Sequence, residues 1–274
     1  MSIAIIIPAR WGSTRLPGKP LAVIAGRTML ARVTGLARAA AQMTGNEVRI
    51  AVATDDARIA AHCAELNTAC IMTGDCMTGT DRVLAASLTP EMMNPIPQFI
   101  INLQGDAALT PPDFITALIA SWRNQPAAML TPVARLSWEE LDRLRETKKN
   151  TPHSGTFAVF NQVTGLAYWF SKSEIPAMRN EKNLRASGTL SPLWRHIGIY
   201  GYSREMLQTQ WPKMTSGAYE QLEGLEQLRV LEHGGQIRCV PVDYRGRANM
   251  SGIDSPEDIA RAEALIAAHG ELLP

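Results

Sequence analysis

The sequence predicts an α/β protein built on a doubly wound, mostly parallel sheet, and three observations carry that expectation. Ile3 to Ile7 is a short, β-branched apolar run ended by Pro8, the pattern of a buried central strand rather than of a helix. Strand-like and helix-like segments then alternate through the first half of the chain, as βαβ units do. Two of the apolar runs, Ile3 to Ile7 and Gln98 to Leu103, lead straight into polar loops. In open α/β sheets, ligands collect at such carboxyl ends.

The elements follow in order. A helix is expected from Thr28 to Gln42, a strand from Val48 to Ala53, a helix from Ala57 to Glu65 and a short strand near Cys70 to Met72. A helix over Asp81 to Ser87 precedes the strand ending at Leu103. Pro111 to Trp122 reads as a helix with prolines in its first turn, and Met129 to Arg135 as a strand. From Ser137 to Asn183 the pattern loosens into a charged helix, a hairpin-like pair at 156–160 and 166–170, and a polar loop. Residues 137–195 are therefore expected to form an insertion within a single domain spanning 1–274. A strand His196 to Tyr202, a helix Tyr219 to His233, a strand Gln236 to Val242 and a helix Pro256 to His269 close the chain. Ser255 caps that last helix, with Pro256 at its first position and acids in its first turn.

Composition narrows the partners. With 274 residues, 46% of them hydrophobic, the chain can bury one large core. A formal charge of +1 supplies no general field for nucleic acid or for anionic membrane, so any phosphate affinity must be local. No apolar run approaches the roughly 18 residues of a spanning helix. Ser2 to Ile7 lacks the basic flank and cleavage site of a signal peptide. The expectation is a cytoplasmic protein that binds neither nucleic acid nor membrane. Cys63, Cys70, Cys76 and Cys239 show no C-x-x-C spacing and no histidine pair suited to zinc, and read as structural thiols. His62, His153, His233 and His269 read as surface or loop residues; His196 stands apart.

Three segments carry chemistry. In the first, Pro8-Ala9-Arg10-Trp11-Gly12-Ser13-Thr14-Arg15-Leu16-Pro17-Gly18-Lys19-Pro20, three cations surround a Ser-Thr pair and two prolines stiffen the turn. It is not a Walker A loop, since Pro17 takes a glycine position and Pro20 replaces the magnesium-binding hydroxyl, and no G-x-G-x-x-G fingerprint occurs. The pattern suits a polyphosphate, although a solvated basic loop has the same composition. The second segment, Asn102-Leu103-Gln104-Gly105-Asp106, places a carboxylate at the same sheet edge. A carboxylate beside phosphate requires a cation, usually magnesium; a plain turn aspartate is the alternative. In the third, Asp254 directly precedes a capped helix, and its spacing alone suits a turn residue. It becomes a metal ligand only if folding brings it to Asp106.

IPARWGSTRLPGKPL, TGTDRV at 78–83, NLQGD at 102–106, RHIGIYGYS at 195–203, LEQLRVLEHGGQI at 225–237 and GIDSPEDIARAE at 252–263 resemble, in order, the 3-deoxy-manno-octulosonate cytidylyltransferases, or CMP-KDO synthetases. The resemblance spans nearly the whole chain. Single motifs are shared with other sugar nucleotidyltransferases; the combined LEQLR and HIGIYGY segments are narrower. The resemblance implies transfer of CMP from CTP to the anomeric hydroxyl of an eight-carbon 3-deoxy-2-ulosonic acid, with Mg2+ as cofactor and pyrophosphate as product, in lipopolysaccharide or capsule synthesis. It implies Lys19, Asp106 and Asp254 as catalytic residues, the two aspartates as metal ligands. It implies Pro8, Ala9, Arg10, Ser13, Arg15, Lys19, Thr78 and Gln104 around the nucleotide. Lys172, His196, Tyr200, Glu220, Glu223 and Gln227 would line the pocket for the acidic sugar, and the inserted hairpin would pair two chains into a homodimer. Read from the residues alone, Tyr200 and His196 also suit a core, and Glu223 and Glu226 an exposed helix face.

The sequence departs from the family pattern in four segments. Cys76-Met77-Thr78-Gly79-Thr80 stands where the family has His-x-Ser-Gly-Thr, and Ala107-Ala108 where it has Glu-Pro. Gly155 to Phe160 replaces a segment rich in Val and Lys. Tyr-Phe-Ser-Arg becomes Trp169-Phe170-Ser171-Lys172, which gives up a bidentate fork for a point charge. The triphosphate and metal residues are better kept than the sugar-facing ones. CMP transfer to a different ulosonic acid, or nucleotide binding without turnover, therefore stays open at this level.

Overall fold

The computed structural model describes residues 2–13, 15–45, 48–247, 250 and 252–273; Thr14 of the basic loop and Ser251 of the third segment lie outside the described residues. The chain opens with β1 (Ile3–Ala9), a small hairpin β2 (Val23–Ile24) and β3 (Arg27–Thr28), then α1 (Met29–Thr44), β4 (Val48–Thr54), α2 (Ala57–Glu65) and β5 (Ala69–Met72). Next come α3 (Gly79–Ser87), α4 (Pro90–Met93), β6 (Phe99–Leu103), α5 (Pro112–Asn124) and β7 (Met129–Ser137). The region 137–195 holds α6 (Trp138–Asn150), β8 (Phe157–Phe160), β9 (Ala167–Ser171), α7 (Glu181–Ala186) and β10 (Leu190–His196). β11 (Ile199–Ser203), α8 (Ala218–Glu223), α9 (Gln227–Glu232), β12 (Ile237–Val242) and α10 (Pro256–His269) complete the chain.

One ten-stranded sheet organises the molecule, in the order β5-β4-β1-β6-β11-β7-β10-β8-β9, with β12 beside β7. β5, β4, β1 and β6 run parallel, as do β12 and β7. β11 enters antiparallel between β6 and β7, and β10, β8 and β9 continue antiparallel. The alternation of β1 explains the two layers of helices. Ile3, Ile5 and Ile7 pack in a cluster with Val33 of α1, Ile115 of α5 and Ala262 of α10, while Ala4 and Ile6 face Val83 of α3 and Leu228 of α9. All five of these β1 residues are completely buried, and each such isoleucine contributes about 1.5–3 kcal/mol of transfer free energy.

The expected insertion does not leave the sheet. Its strands β8, β9 and β10 extend the antiparallel edge, and Leu136, Trp138, Leu141, Phe157 and Leu193 form a third, separate apolar cluster beneath α6.

Two expected elements are corrected. The strand expected over His196 to Tyr202 is two strands, β10 ending at His196 and β11 beginning at Ile199, because the chain turns at Ile197-Gly198 and exchanges partners. The helix expected over Tyr219 to His233 is α8 and α9, since Gly224 ends the first in a left-handed conformation (φ 63°). The break matters, because it turns Glu226 toward α3.

Candidate active site

The carboxyl ends of β1 and β6 open onto a cavity of about 320 Å³ lined by Pro8, Ala9, Arg10, Ser13, Arg15 and Lys19 from the first loop and by Gln104, Gly105 and Asp106 from the second. Thr78, with its neighbours Cys76, Met77 and Gly79, closes it from the start of α3, and Asp254 from the approach to α10. Every residue assigned to the nucleotide on the resemblance lines this one cavity.

Close backbone packing explains the sequence around Asp106. A Cβ at Gly105 would lie 2.6 Å from the Pro8 carbonyl oxygen, so only glycine lets the two strand ends meet. A Cβ at Gly252 would lie 2.9 Å from the Asp106 carboxyl carbon. The loop before α10 therefore descends directly onto Asp106, and the Ile253 amide donates to its main-chain oxygen at 3.2 Å. Asp254 is then fixed by the capping box of α10. Ser255 accepts from the Asp258 amide, and the Asp258 carboxylate accepts from the amides of Asp254 and Ser255 at 3.0 and 3.2 Å. The capping that sequence predicts is thus also what aims Asp254.

Lys19 joins the two segments. Its ammonium donates to Asp106 Oδ2 at 2.7 Å and to Asp254 Oδ1 at 2.8 Å, and Arg15 approaches Asp254 Oδ2 at 3.0 Å. Burial works against the charge on Lys19, but the Asp106 and Asp254 carboxylates outweigh it and hold its pKa above the ordinary value. Burial likewise opposes the charge on Asp254, and Lys19 and Arg15 reverse the balance, so its pKa lies below the usual carboxylate range. Residues 87 and 235 positions from Lys19 are thus brought onto one cation.

A buried polar chain backs the cavity. Gln104 Nε2 donates to Asn102 Oδ1 (3.1 Å), Asn102 Nδ2 to Thr80 Oγ1 (3.3 Å), and Thr80 Oγ1 meets the Tyr202 hydroxyl at 3.2 Å. The Thr80 amide donates to Glu226 Oε2 (3.3 Å). Glu226 lines the cavity, and burial pushes its carboxyl pKa up. It is not on an exposed helix face, and sequence reasoning missed it because the break at Gly224 was not foreseen. Arg82 was also missed; it lines the cavity while donating to Asp55 and Thr73, both at 2.6 Å. Its signal was present in the TGTDRV segment.

The residues assigned to the sugar are distributed differently. Lys172 lies outside the cavity lining, at the end of β9, but near enough for its charge to interact with Asp254, Glu223 and His196. Burial lowers its pKa against the opposing pull of Glu223 and Asp254. Glu223 accepts from the Ser171 hydroxyl (2.7 Å) and from the Lys172 amide (2.8 Å). His196 is buried against Phe170 and Tyr200, with Nε2 2.8 Å from Thr131 Oγ1. Burial, then the charges of Lys172 and Arg195, push its pKa down to about 3, so the ring is neutral. Tyr200 belongs to the core and donates to Gln227 Oε1 (2.8 Å), while Gln227 Nε2 is buried with no hydrogen-bond partner among the described residues. Glu220 stands apart from this group: both its oxygens accept from Arg229 at 2.8 and 2.6 Å in a buried pair, and Arg229 stacks on Trp211. Its carboxylate is already taken.

A layered α/β sheet whose strand ends bring a basic loop, a lysine and two aspartates together has the form of a nucleotidyltransferase, and the sequence profile of the cytidylyltransferases matches residues 4–237. Within that class, the chain belongs to the 3-deoxy-manno-octulosonate cytidylyltransferase family. It is 43% identical over 275 residues, covering all of both chains, to the 3-deoxy-manno-octulosonate cytidylyltransferase of Maricaulis maris (strain MCS10). It is 40% identical over 266 residues, 97% of each chain, to that of Anaeromyxobacter sp. (strain Fw109-5). Among solved structures, CMP:2-keto-3-deoxy-manno-octonic acid synthetase complexed with CTP superimposes with a TM-score of 0.78 at 32% identity, over 98% of this chain and 99% of that one.

Proposed function

We propose that this chain transfers CMP from CTP to the anomeric hydroxyl of 3-deoxy-D-manno-octulosonate, giving CMP-KDO and pyrophosphate. The observation that carries the reading is the convergence of Asp106 and Asp254 on Lys19 at the mouth of the basic loop, with Lys172 near enough for its charge to interact with Asp254. A nucleotide in the cavity and an acid beyond Asp254 would meet at the two carboxylates.

Chemically, the anomeric hydroxyl loses its proton to solvent as its oxygen attacks the α-phosphorus in line, the bond from that phosphorus to the bridging oxygen breaks, and pyrophosphate departs with that bond's electron pair. Arg10, Arg15 and Lys19 receive the triphosphate and keep its charge compensated as it moves to the leaving group. Asp106 and Asp254 would hold magnesium. Their donor set fits, because this hard ion takes one or two carboxylates and completes its shell with phosphate oxygens and water. Among the described residues there is no larger cluster of His, Cys, Asp or Glu that would hold a metal without substrate. When bound, the ion supplies Lewis-acid neutralisation between two anionic substrates. Lys172 presents a cation to the sugar carboxylate, and Gln227 Nε2 offers a buried donor whose lack of a partner costs about 1–3 kcal/mol until an acceptor meets it.

A homodimer formed through the hairpin of β8 and β9, a cytoplasmic address and a role in lipopolysaccharide or capsule synthesis complete the proposal. Among the described residues no helix is long and apolar enough to cross a membrane. Lys172, in place of a forked guanidinium, favours one second reading, a related ulosonic acid as the acceptor.

The deciding experiment measures pyrophosphate release with CTP, magnesium and 3-deoxy-D-manno-octulosonate, beside Asp106→Ala and a panel of other ulosonic acids. Turnover of this sugar that disappears in the variant is expected. Turnover only of another acid would move the substrate, and CTP binding with no turnover across the panel would overturn catalysis.

A further inference from the structure

Helix α6 carries a lysine that lines neither the cavity nor the carboxylate pair, yet fastens one wall of the site. The Lys148 ammonium donates to three main-chain carbonyls, those of Lys172 (2.6 Å), Pro152 (3.2 Å) and Gly155 (3.3 Å). Three donors meet three acceptors, which uses the full capacity of an ammonium group. Its Nζ lies 5.7 Å from the centre of the Phe157 ring, in the separate cluster beneath α6.

The consequence falls on Lys172. The Lys172 amide is held by Glu223 and its carbonyl by Lys148, so the residue is gripped from both ends. The Ser171 hydroxyl adds a second bond to the Glu223 carboxylate, and the Ser173 amide donates to that same hydroxyl at 2.9 Å. The main chain from 171 to 173 thus has little freedom, and the Lys172 side chain starts from a fixed point. The grip is made with a charge in a crowded place. Lys148 feels burial first, then Lys172 and Arg195, and these lower its pKa despite Glu223 and Glu174 nearby. The charges of Lys172 and Arg195 reach both Lys148 and the neutral His196, and this local positive field suits an anion.

We infer that Lys148 is a positioning residue for the acidic sugar, holding the Lys172 peptide so that the Lys172 ammonium faces the sugar carboxylate. The inference rests on the reading in which Lys172 meets the sugar. The lysine that supplies the grip on the carbonyl is carried by the charged helix α6 of the 137–195 region.

The test is steady-state kinetics of pyrophosphate release on the full-length protein, varying the sugar at saturating CTP and CTP at saturating sugar. Wild type is compared with Lys148→Met, Lys148→Gln, Lys148→Arg and Lys172→Met, with a melting curve for each. Lys148→Met is expected to raise the sugar KM about tenfold, the scale of one hydrogen bond to a charged group, with the CTP KM within about twofold. Lys148→Arg keeps donors and charge and is expected to recover most of the loss. Should Lys148→Met not melt cooperatively, Lys148→Gln decides by the same split. An unchanged sugar KM, or equal rises for both substrates, overturns the positioning role while leaving Lys172 in place. An unchanged sugar KM in Lys172→Met overturns the underlying reading instead.

Discussion

Lys19 and Asp254 are 235 residues apart in sequence and 2.8 Å apart in space, and that contact closes the site. It joins the loop after the first strand to the cap of the last helix, so the carboxylate pair exists only in the folded chain.

Replacing Lys19 should therefore damage both chemistry and fold. Lys19→Met leaves Asp106 and Asp254 facing each other without the cation between them, and pyrophosphate release is expected to fall by about 100-fold or more. The pH dependence has a definite sign. The Lys19 pKa is raised above its ordinary 10.5, so its contribution is full below that value and fades as pH rises through the folded pKa. The Asp254 pKa is depressed below its ordinary 3.8, so its contribution is full above that value and fades as pH falls through the folded pKa. The melting-temperature difference between wild type and Lys19→Met should be steady from about pH 5 to 9 and shrink beyond either end. A difference that grows on acidification would contradict the assignment of the contact.

Gly105 and Gly12, each in a loop that follows a strand of the sheet, make a controlled comparison. A Cβ at Gly105 meets the Pro8 carbonyl at 2.6 Å, a main-chain atom that cannot swing aside, whereas a Cβ at Gly12 meets nothing among the described residues within 4 Å. Gly105→Ala is expected to cost about 1–3 kcal/mol of stability and to weaken CTP binding, because the strand ends must part. Gly12→Ala should stay within about 0.5 kcal/mol. Denaturant unfolding and CTP titration of the two variants check this, and equal effects would remove the packing argument.

How far the sequence was readable follows from the range of the forces involved. α2 and α10 begin and end where expected, because their caps, Asp56 and Ser255, are local. The residues expected around the nucleotide line one cavity because the loops after β1 and β6 and the start of α3 meet there. Asp254 could not be separated from an ordinary cap residue, since only the descent of Gly252 onto Asp106 distinguishes it. Glu220 and Glu223 looked alike on one helix, yet one is spent on Arg229 and the other reaches the peptide of Lys172. Lys148 was invisible because its partners are carbonyl oxygens, which no side-chain pattern records.

His196 supplies a last prediction, in which burial rather than a partner charge sets the pH response. Its folded pKa is depressed from 6.5 to about 3, so the unfolded chain binds a proton between those values that the folded chain refuses. Stability must fall as pH drops from about 6.5 toward 3, approaching about 1.4 kcal/mol per pH unit for this one group. Replacement by a neutral amide, His196→Gln, removes that proton uptake. Unfolding measured from pH 7 to 4 should show a shallower acid slope in the variant, by close to one proton, even if its stability at pH 7 is lower. Parallel slopes in the two proteins would mean that the ring is protonated in the folded state, and the buried neutral histidine beside Thr131 would then be wrong.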